Sequence, residues 1–109
     1  MNYVILIGRL TNDVEVKEVG ENKVVNFTLA VPRTYKNKDG ENEADFINCS
    51  VWGTTAENLK NYCRKGSQVA IKGQLVTSTY EDKDGNKRYK TEVRVDHITY
   101  LQPKKEEVK

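Results

Sequence analysis

The sequence predicts an all-β domain that contains a single helix, and three observations support this prediction. Apolar residues recur at every second position in five segments, which is the period of a half-buried β-strand. Two Asp-Gly pairs, at residues 39–40 and 84–85, separate such segments as turns do. Only one stretch, which begins near Thr54, has the spacing of an amphipathic helix. The length of 109 residues is typical of one domain.

The first strand begins at residue 3, and its apolar face contains a glycine. The residues of this face are Val4, Leu6, Gly8 and Leu10. A glycine in a strand permits a bend or the close approach of another backbone. Alternation resumes at Val14, Val16 and Val19 after an interruption, so the pattern predicts one long, bent strand over residues 3–19.

The second strand covers residues 24–31 and is followed by a proline. Its inward residues are Val25, Phe27, Leu29 and Val31. Because Pro32 has no backbone N–H, the strand ends, bulges or lies at an edge there. Tyr35 follows between the cations Arg33 and Lys36, and alternation does not assign it to a face beyond the proline.

The third strand, residues 45–53, carries two aromatic residues on the face opposite its apolar one. The apolar face consists of Ile47, Cys49 and Val51. Phe46 and Trp52 lie ~20 Å apart on the other face, with Asn48 and Ser50 between them. Such a face indicates either a stacking platform for planar ligands such as nucleobases, or a surface covered by a loop, a helix or another subunit.

The helix that follows has recognisable start and stop signals. Thr54 and Glu57 fit a capping box, and Gly66 supplies the stop. One face of the helix consists of Ala56, Leu59, Tyr62 and Cys63. We expect this helix to close the fold and to carry no chemistry.

Two further strands complete the pattern, over residues 68–80 and from about 88 to 95. The inward residues of the first are Val69, Ile71, Gly73 and Leu75. Tyr80 ends its polar face. The outward face of the last strand is charged and consists of Arg88, Lys90, Glu92, Arg94 and Asp96. The loop between the strands is rich in Asp, but Tyr80 occupies the first position of the calcium-loop register, where a carboxylate is required, so we expect no calcium site.

Three strands, one helix and two more strands in antiparallel order are the arrangement of the OB-fold. This fold is a five-stranded, partly open barrel, here with one helix between strands 3 and 4. We assign residues 1–102 to it and residues 103–109 to a short charged tail. Oligonucleotides and oligosaccharides bind the face of strands 2 and 3 in this fold, which is where Phe46 and Trp52 are expected.

Composition excludes several classes of protein. The net charge of +2 argues against binding a polyanion by overall charge, so any nucleic-acid role depends on where the basic residues lie. No apolar run approaches the ~20 residues of a membrane span, and none has the features of a signal peptide, so a cytoplasmic location without membrane contact is expected. Cys49 and Cys63 match no metal or redox spacing and are expected to be buried thiols.

The sequence contains no pattern typical of an enzyme. It has no nucleophile–base spacing, no paired acids and no phosphate-binding glycine loop. The single histidine, His97, is expected to be structural. We therefore expect a binding protein without cofactor or metal.

Seven short motifs follow one another along the chain between residues 2 and 101. They are Asn2-x-Val4-x-Leu6-x-Gly8-Arg9-Leu10-Thr11-x-Asp13, Phe27-Thr28-Leu29-Ala30-Val31, Ala44-Asp45-Phe46-Ile47-Asn48, Trp52-Gly53, Arg64-Lys65-Gly66-Ser67-x-Val69, Gly73-x-Leu75 and Thr91-Glu92-Val93. In order and spacing these motifs resemble those of the bacterial and phage single-stranded-DNA-binding proteins. The resemblance is to a short form without the acidic C-terminal tail.

The resemblance implies a function and an assembly. Members of this family stack bases on a few aromatics, and the matching positions here are Tyr35, Phe46, Trp52 and Tyr80. The family is homotetrameric, with the first strand in the dimer contact, and acts in DNA replication, repair, recombination or uptake. Without an acidic tail tip, we expect poor recruitment of replication and repair enzymes.

The sequence thus predicts binding and protection of single-stranded DNA without sequence specificity. Bases would stack on the aromatics while nearby cations contact phosphates. The candidate phosphate ligands are Arg9, Lys17, Arg33, Lys36, Lys72, Arg88, Lys90 and Arg94. A saccharide- or RNA-binding OB domain is the alternative.

Overall fold

The computed structural model describes residues 1–101, which form six strands and one helix. The elements are β1 (Val4–Leu10), β2 (Lys17–Val19), β3 (Asn22–Lys36), β4 (Asn42–Trp52), α1 (Gly53–Tyr62), β5 (Gln68–Glu81) and β6 (Lys87–Tyr100). The predicted tail, residues 103–109, lies outside the described residues, as does residue 102. The division between domain and tail therefore stays a prediction.

Five of the strands form a closed ring. They are hydrogen-bonded in the order β1-β5-β6-β4-β3, and β3 pairs with β1 to close the ring. The short β2 lies outside the ring and pairs with β3. Since β1, β3 and β4 precede α1, the helix lies between the third and fourth strands of the ring. The mostly β chain and the place of its helix confirm the predicted OB-fold.

Two ladders of the ring are short, and we call them the seams. One joins β1 to β3 through residues 9–10 and 29–30. The other joins β4 to β6 through residues 49–50 and 93–94. This second seam is parallel, whereas the sequence predicts antiparallel order, because the long β5–β6 hairpin returns its second strand beside β4 in the same direction.

The predicted long first strand is interrupted in the structure. β1 ends at Leu10, and the chain leaves the ring before β2 begins. Thr11 donates from its backbone N–H and its hydroxyl to the carbonyl of Thr28, both at 3.2 Å. The carboxylate of Asp13 accepts a 2.8 Å hydrogen bond from the backbone N–H of Lys65. These bonds divert the segment from strand geometry toward the turn after the helix.

The inward faces predicted from alternation form the core of the ring. The most deeply buried side chains are Val25, Leu29, Cys49, Val51, Leu59, Val69, Ile71 and Val93. Cys63 is also buried, and no disulfide involves either cysteine, so the prediction of two buried thiols is confirmed. Burial, with a smaller effect of the nearby Glu92 charge, raises the pKa of the Cys49 thiol to about 12.

Three residues predicted to face inward are exposed instead. Leu75 is exposed because β5 has by then left the ring and continues into the projecting hairpin with β6. Val19 is exposed because β2 lies outside the ring. Tyr62 is exposed at the end of α1, where its ring packs edge-on against Tyr100 at 5.5 Å.

The predicted capping box of the helix is wrong. The N-cap residue is Trp52, and its side chain makes no capping hydrogen bond. Glu57 instead forms an ion pair of 2.6 Å with Lys23 of β3, which ties the helix to the ring. Among the described residues, no helix is long and apolar enough to cross a membrane.

Candidate nucleic-acid interface

The outer face of β4 presents two aromatic rings. Phe46 is 66% exposed and Trp52 is 39% exposed, so neither ring is sealed inside the chain. The small side chain of Ala30 on β3 lies opposite Phe46, which leaves space above that ring. Planar ligands can therefore reach the face that alternation predicts to be a stacking platform.

The middle of this face differs from the prediction. Ser50, predicted to face water, is 2% exposed. Its hydroxyl donates a 3.0 Å hydrogen bond to the carboxylate of Glu92, which covers it from β6. The other oxygen of this carboxylate lies 3.6 Å from Nζ of Lys90. A largely buried negative charge thus lies beside the platform, where sequence reasoning placed only a mixed polar surface.

The β5–β6 hairpin brings a third aromatic residue toward the platform. Tyr80 is exposed and pairs across the hairpin with Arg88, while Ser78 pairs with Lys90 on the same face. A cavity of about 720 Å³ separates the hairpin from β4. Its lining residues are Asn48, Ser78, Tyr80, Tyr89, Lys90 and Thr91.

This cavity continues across β4 and β3. A second cavity, of about 250 Å³, shares Asn48 and Lys90 with the first and reaches Asn26 and Thr28. A third, of about 360 Å³, shares those last two residues and reaches Lys17. We call the combined depression, from Tyr80 through Lys90, Asn48, Thr28 and Asn26 to Lys17, the cross-strand groove.

Tyr35 occupies an irregular part of β3. The β3–β4 register shifts between the pairs Pro32↔Ala44 and Lys36↔Asn42, and Tyr35 lies within the shifted stretch. Its side chain is 63% exposed. The shift explains why alternation could not place this residue beyond the proline.

Most of the predicted phosphate ligands already have partners. Arg33 donates to both Asp45 and Glu43, with closest distances of 2.8 and 2.9 Å. Arg88 donates from Nε to Asp82 at 2.8 Å. The guanidinium carbon of Arg94 lies over the ring of Trp52, 5.9 Å from its centroid, which is a cation–π arrangement.

Arg9 and Lys72 are not brought to the groove. Arg9 donates from Nη1 to the carbonyl of Gly66 at 2.9 Å. Lys72 lies 4.6 Å from the centroid of the Tyr3 ring, on the outer face of β1 and β5. Lys36 is exposed at the end of β3, close in sequence to Tyr35.

Ion pairs shift two carboxyl groups near the interface. Hydrogen bonds from Arg33, aided by its charge, hold the pKa of Asp45 below its usual value. Hydrogen bonds from Arg88 and from the loop backbone do the same to the pKa of Asp82. The charges of Arg33 and Arg88 are therefore largely balanced where they stand.

Several residues that line the groove were missed as candidates by sequence reasoning, among them Asn26, Asn48, Glu92 and Tyr89. Tyr89 is 76% exposed. It pairs with Thr79, so the register assigns it to the other face of the hairpin from Tyr80. The signal for Tyr89 was its large aromatic side chain among the polar residues of the last strand. Within residues 1–101, no group of three or more His, Cys, Asp or Glu side chains is placed to hold a metal ion.

Comparison with known proteins identifies relatives across the described chain. The Single-strand binding protein family matches residues 1–101. Single-stranded DNA-binding protein 1 of Clostridium acetobutylicum is 48% identical over 111 residues, which cover 99% of this chain and 100% of that protein.

Two Bacillus proteins are longer than this chain. The single-stranded DNA-binding protein of Bacillus cereus is 47% identical over 105 residues, covering 95% of this chain and 62% of that protein. Single-stranded DNA-binding protein A of Bacillus subtilis is 45% identical over 105 residues, which cover 95% of this chain and 61% of that protein. The chain thus spans less than two thirds of either Bacillus protein. A family match over nearly the whole chain, and a relative that is covered along its whole length, lead to one conclusion: this chain belongs to the single-strand binding protein family.

Proposed function

We propose that this chain binds single-stranded DNA without sequence preference and protects it. Bases stack on Phe46, Trp52, Tyr80 and Tyr35, and the phosphates lie along the cross-strand groove. The observation that carries the proposal is the exposure of Phe46 and Trp52 on one strand face beside that groove. We also propose a cytoplasmic role in replication, repair or recombination, as a binding protein and not an enzyme.

The eight predicted cations divide into three groups in this proposal, apart from Arg33, which is paired with Glu43 and Asp45. Lys17, Lys36 and Lys90 contact phosphates directly, because they lie at the groove or beside Tyr35 and carry at most one long ion pair. Arg88 and Arg94 contact phosphates only after their side chains leave Asp82 and the Trp52 ring, respectively. Arg9 and Lys72, predicted from sequence as phosphate ligands, lie away from the groove and have no part in this path.

Stacking alone gives moderate affinity. It contributes ~1–3 kcal/mol per base, so four rings supply roughly 4–12 kcal/mol before the cost of ordering the strand. The middle of this range corresponds to about micromolar affinity for one chain. Linking several chains raises the avidity by orders of magnitude, so tight binding requires assembly.

We propose that the outer face of β1 supports this assembly as a homotetramer. Ile5 and Ile7 share the outer face of β1, and Tyr3 directly precedes the strand; all three are more than half exposed. Contiguous apolar side chains of this kind are typical of interfaces. Lys72 beside Tyr3 is then part of this contact face.

The test of the proposed function is titration of Trp52 fluorescence, since Trp52 is the single tryptophan. Oligo-dT, a duplex of equal length, oligo-rU and a neutral oligosaccharide are compared at two salt concentrations. We expect quenching by oligo-dT and none by the duplex, with affinity that falls as salt rises. Quenching by the oligosaccharide alone, without salt dependence, would overturn the proposal.

A further inference from the structure

Three residues of β3 lie opposite one residue of β4 near the tip of their hairpin. Pro32 pairs with Ala44 and Lys36 with Asn42, so residues 33–35 face Glu43 alone. Such a bulge bends its strand and re-aims the side chains that it contains. One of these side chains is that of Tyr35.

Arg33 spans the bulge with its whole guanidinium group. Nη2 donates to Oδ1 of Asp45 at 2.8 Å, and Nε lies 3.2 Å from both oxygens of that carboxylate. Nη1 donates to Oε1 of Glu43 at 2.9 Å. The two acids flank Ala44, so a single side chain fixes the register of β4 against the bulged strand.

The same network continues to the tip of the hairpin. Oε2 of Glu43 accepts a 3.0 Å hydrogen bond from the side-chain amide of Asn37. The amide oxygen of Asn37 accepts from the backbone N–H groups of Asp39 and Glu41, at 2.9 and 3.0 Å. The loop, the bulge and the platform strand are therefore held by one set of hydrogen bonds.

We propose that Arg33 is a positioning residue, which locks the bulge and thereby sets the ring of Tyr35 relative to Phe46, and that it does not bind phosphate. The inference rests on the proposed function, because it concerns how Tyr35 meets a base. Arg33 and its two acids carry one net negative charge, so this cluster repels a phosphate group. The planar fork of arginine matches two carboxylates at once, which the ammonium of lysine cannot reproduce.

The first experiment compares Arg33→Met with Tyr35→Ala and with the double variant, by titration with oligo-dT at several salt concentrations. Loss of one stacked base weakens binding about fivefold or more. We expect Arg33→Met to lose most of the affinity that Tyr35→Ala loses. The double variant should bind oligo-dT no more weakly than Tyr35→Ala alone. The slope of log affinity against log salt should stay that of the unmodified chain. A slope shallower by about 0.7, with additive losses, would show a phosphate ligand instead.

Lys36→Met is the matched control, because Lys36 lies in the same hairpin and is exposed. This variant should make the salt slope shallower by about 0.7, which shows that the measurement detects one phosphate contact. Arg33→Lys should fail to restore binding, because the lysine cannot hold both acids. Full restoration by lysine would also overturn the proposal.

The second experiment frees the charge of Arg33 and leaves the arginine in place. In the variant Glu43→Gln with Asp45→Asn, a positioning role predicts weaker binding to oligo-dT, since the bulge is no longer held. A phosphate ligand predicts the opposite, because a free cation replaces a negative cluster. Binding as tight as in the unmodified chain, or tighter, contradicts the proposal. Absence of binding in the unmodified chain would instead refute the proposed function, so the two failures are distinguishable.

Discussion

Gly8 of β1 lies directly against the backbone of Ala30 in β3. A Cβ atom at position 8 would stand 2.4 Å from the carbonyl oxygen of Ala30 and 3.0 Å from Cγ of Leu29. This contact adjoins the β1–β3 seam, at which the ring of strands closes. The sequence permits either a bend or such an approach at this glycine, and the structure shows the close approach.

Gly8→Ala should therefore destabilise the fold. β1 cannot withdraw without breaking its pairing with residues 29–30, so the added methyl group forces the two backbones apart. Overpacking of this kind costs about 1–3 kcal/mol in the free energy of unfolding, measured by urea titration. Gln74→Ala, at an exposed position of β5, is the control and should change stability little. Equal stability of Gly8→Ala and the unmodified chain would contradict the close contact.

Phe46→Ala should weaken binding of oligo-dT with little change in stability. The ring is 66% exposed, so its removal leaves the core intact. Loss of one stacking contact of ~1–3 kcal/mol corresponds to roughly 5- to 150-fold in affinity. Trp52→Ala should also weaken the binding. Fluorescence anisotropy of labelled oligo-dT measures the affinity of both variants. Tyr62→Ala removes an exposed ring of the helix and serves as control. Unchanged affinity in both platform variants would refute the stacking platform.

Ile5→Glu should reduce the size of the assembly. Ile5 is 68% exposed in the middle of the apolar outer face of β1, and a buried carboxylate without a partner is costly. Sedimentation should give a smaller mass, and affinity for a long strand should fall as avidity is lost. Val19→Glu places the same charge on an exposed residue of β2 and should leave the mass unchanged. If both variants sediment alike, β1 is not the contact.

Acid should weaken the hairpin through Asp45. The pKa of Asp45 is lowered in the folded chain by Arg33, so its contribution to stability is present above its unfolded pKa of about 4. That contribution is lost as the pH falls through the folded pKa, because the protonated acid no longer holds the guanidinium. Asp45→Asn should therefore lose less stability than the unmodified chain between pH 5 and acid conditions of about pH 2. Urea titrations over this range measure the difference.

A second variant separates this effect from general acid sensitivity. The pKa of Asp82 is also lowered, by Arg88 and the loop backbone. Asp82→Asn should therefore also reduce the dependence of stability on pH over this range, independently of Asp45. The two hairpins lie apart in the chain, and their effects should add. A pH profile of Asp45→Asn identical to that of the unmodified chain would show that the Arg33 contacts do not persist in solution.

The strands and the aromatic platform could be predicted because both depend on local alternation. Every second residue of a strand shares a face, so Phe46 and Trp52 are assigned outward as soon as Cys49 and Val51 are assigned inward. The turn at Asp39-Gly40 and the irregularity that begins after Pro32 likewise follow from the residues themselves. These features require no knowledge of which strand lies beside which.

The partners of the cations could not be predicted because they depend on register between distant strands. Arg33 meets Asp45 and Glu43 only because β3 and β4 pair in this register. Glu92 covers Ser50 only because β6 returns in parallel beside β4. Alternation assigns a face to each side chain but does not specify the neighbouring strand, so five of the eight proposed phosphate ligands had unexpected neighbours: Arg9, Arg33, Lys72, Arg88 and Arg94.

The parallel seam between β4 and β6 has a consequence for motion. With two residue pairs, it is among the shortest ladders of the ring, and amide hydrogens along it should exchange with solvent sooner than those of the β3–β4 hairpin. In the proposed complex, single-stranded DNA in the cross-strand groove would cross this seam between Lys90 and Asn48, which line the same cavity, and would hold the seam closed. Bound DNA would then slow the local opening of the β4–β6 ladder, so that binding stabilises the same strands that form the binding surface.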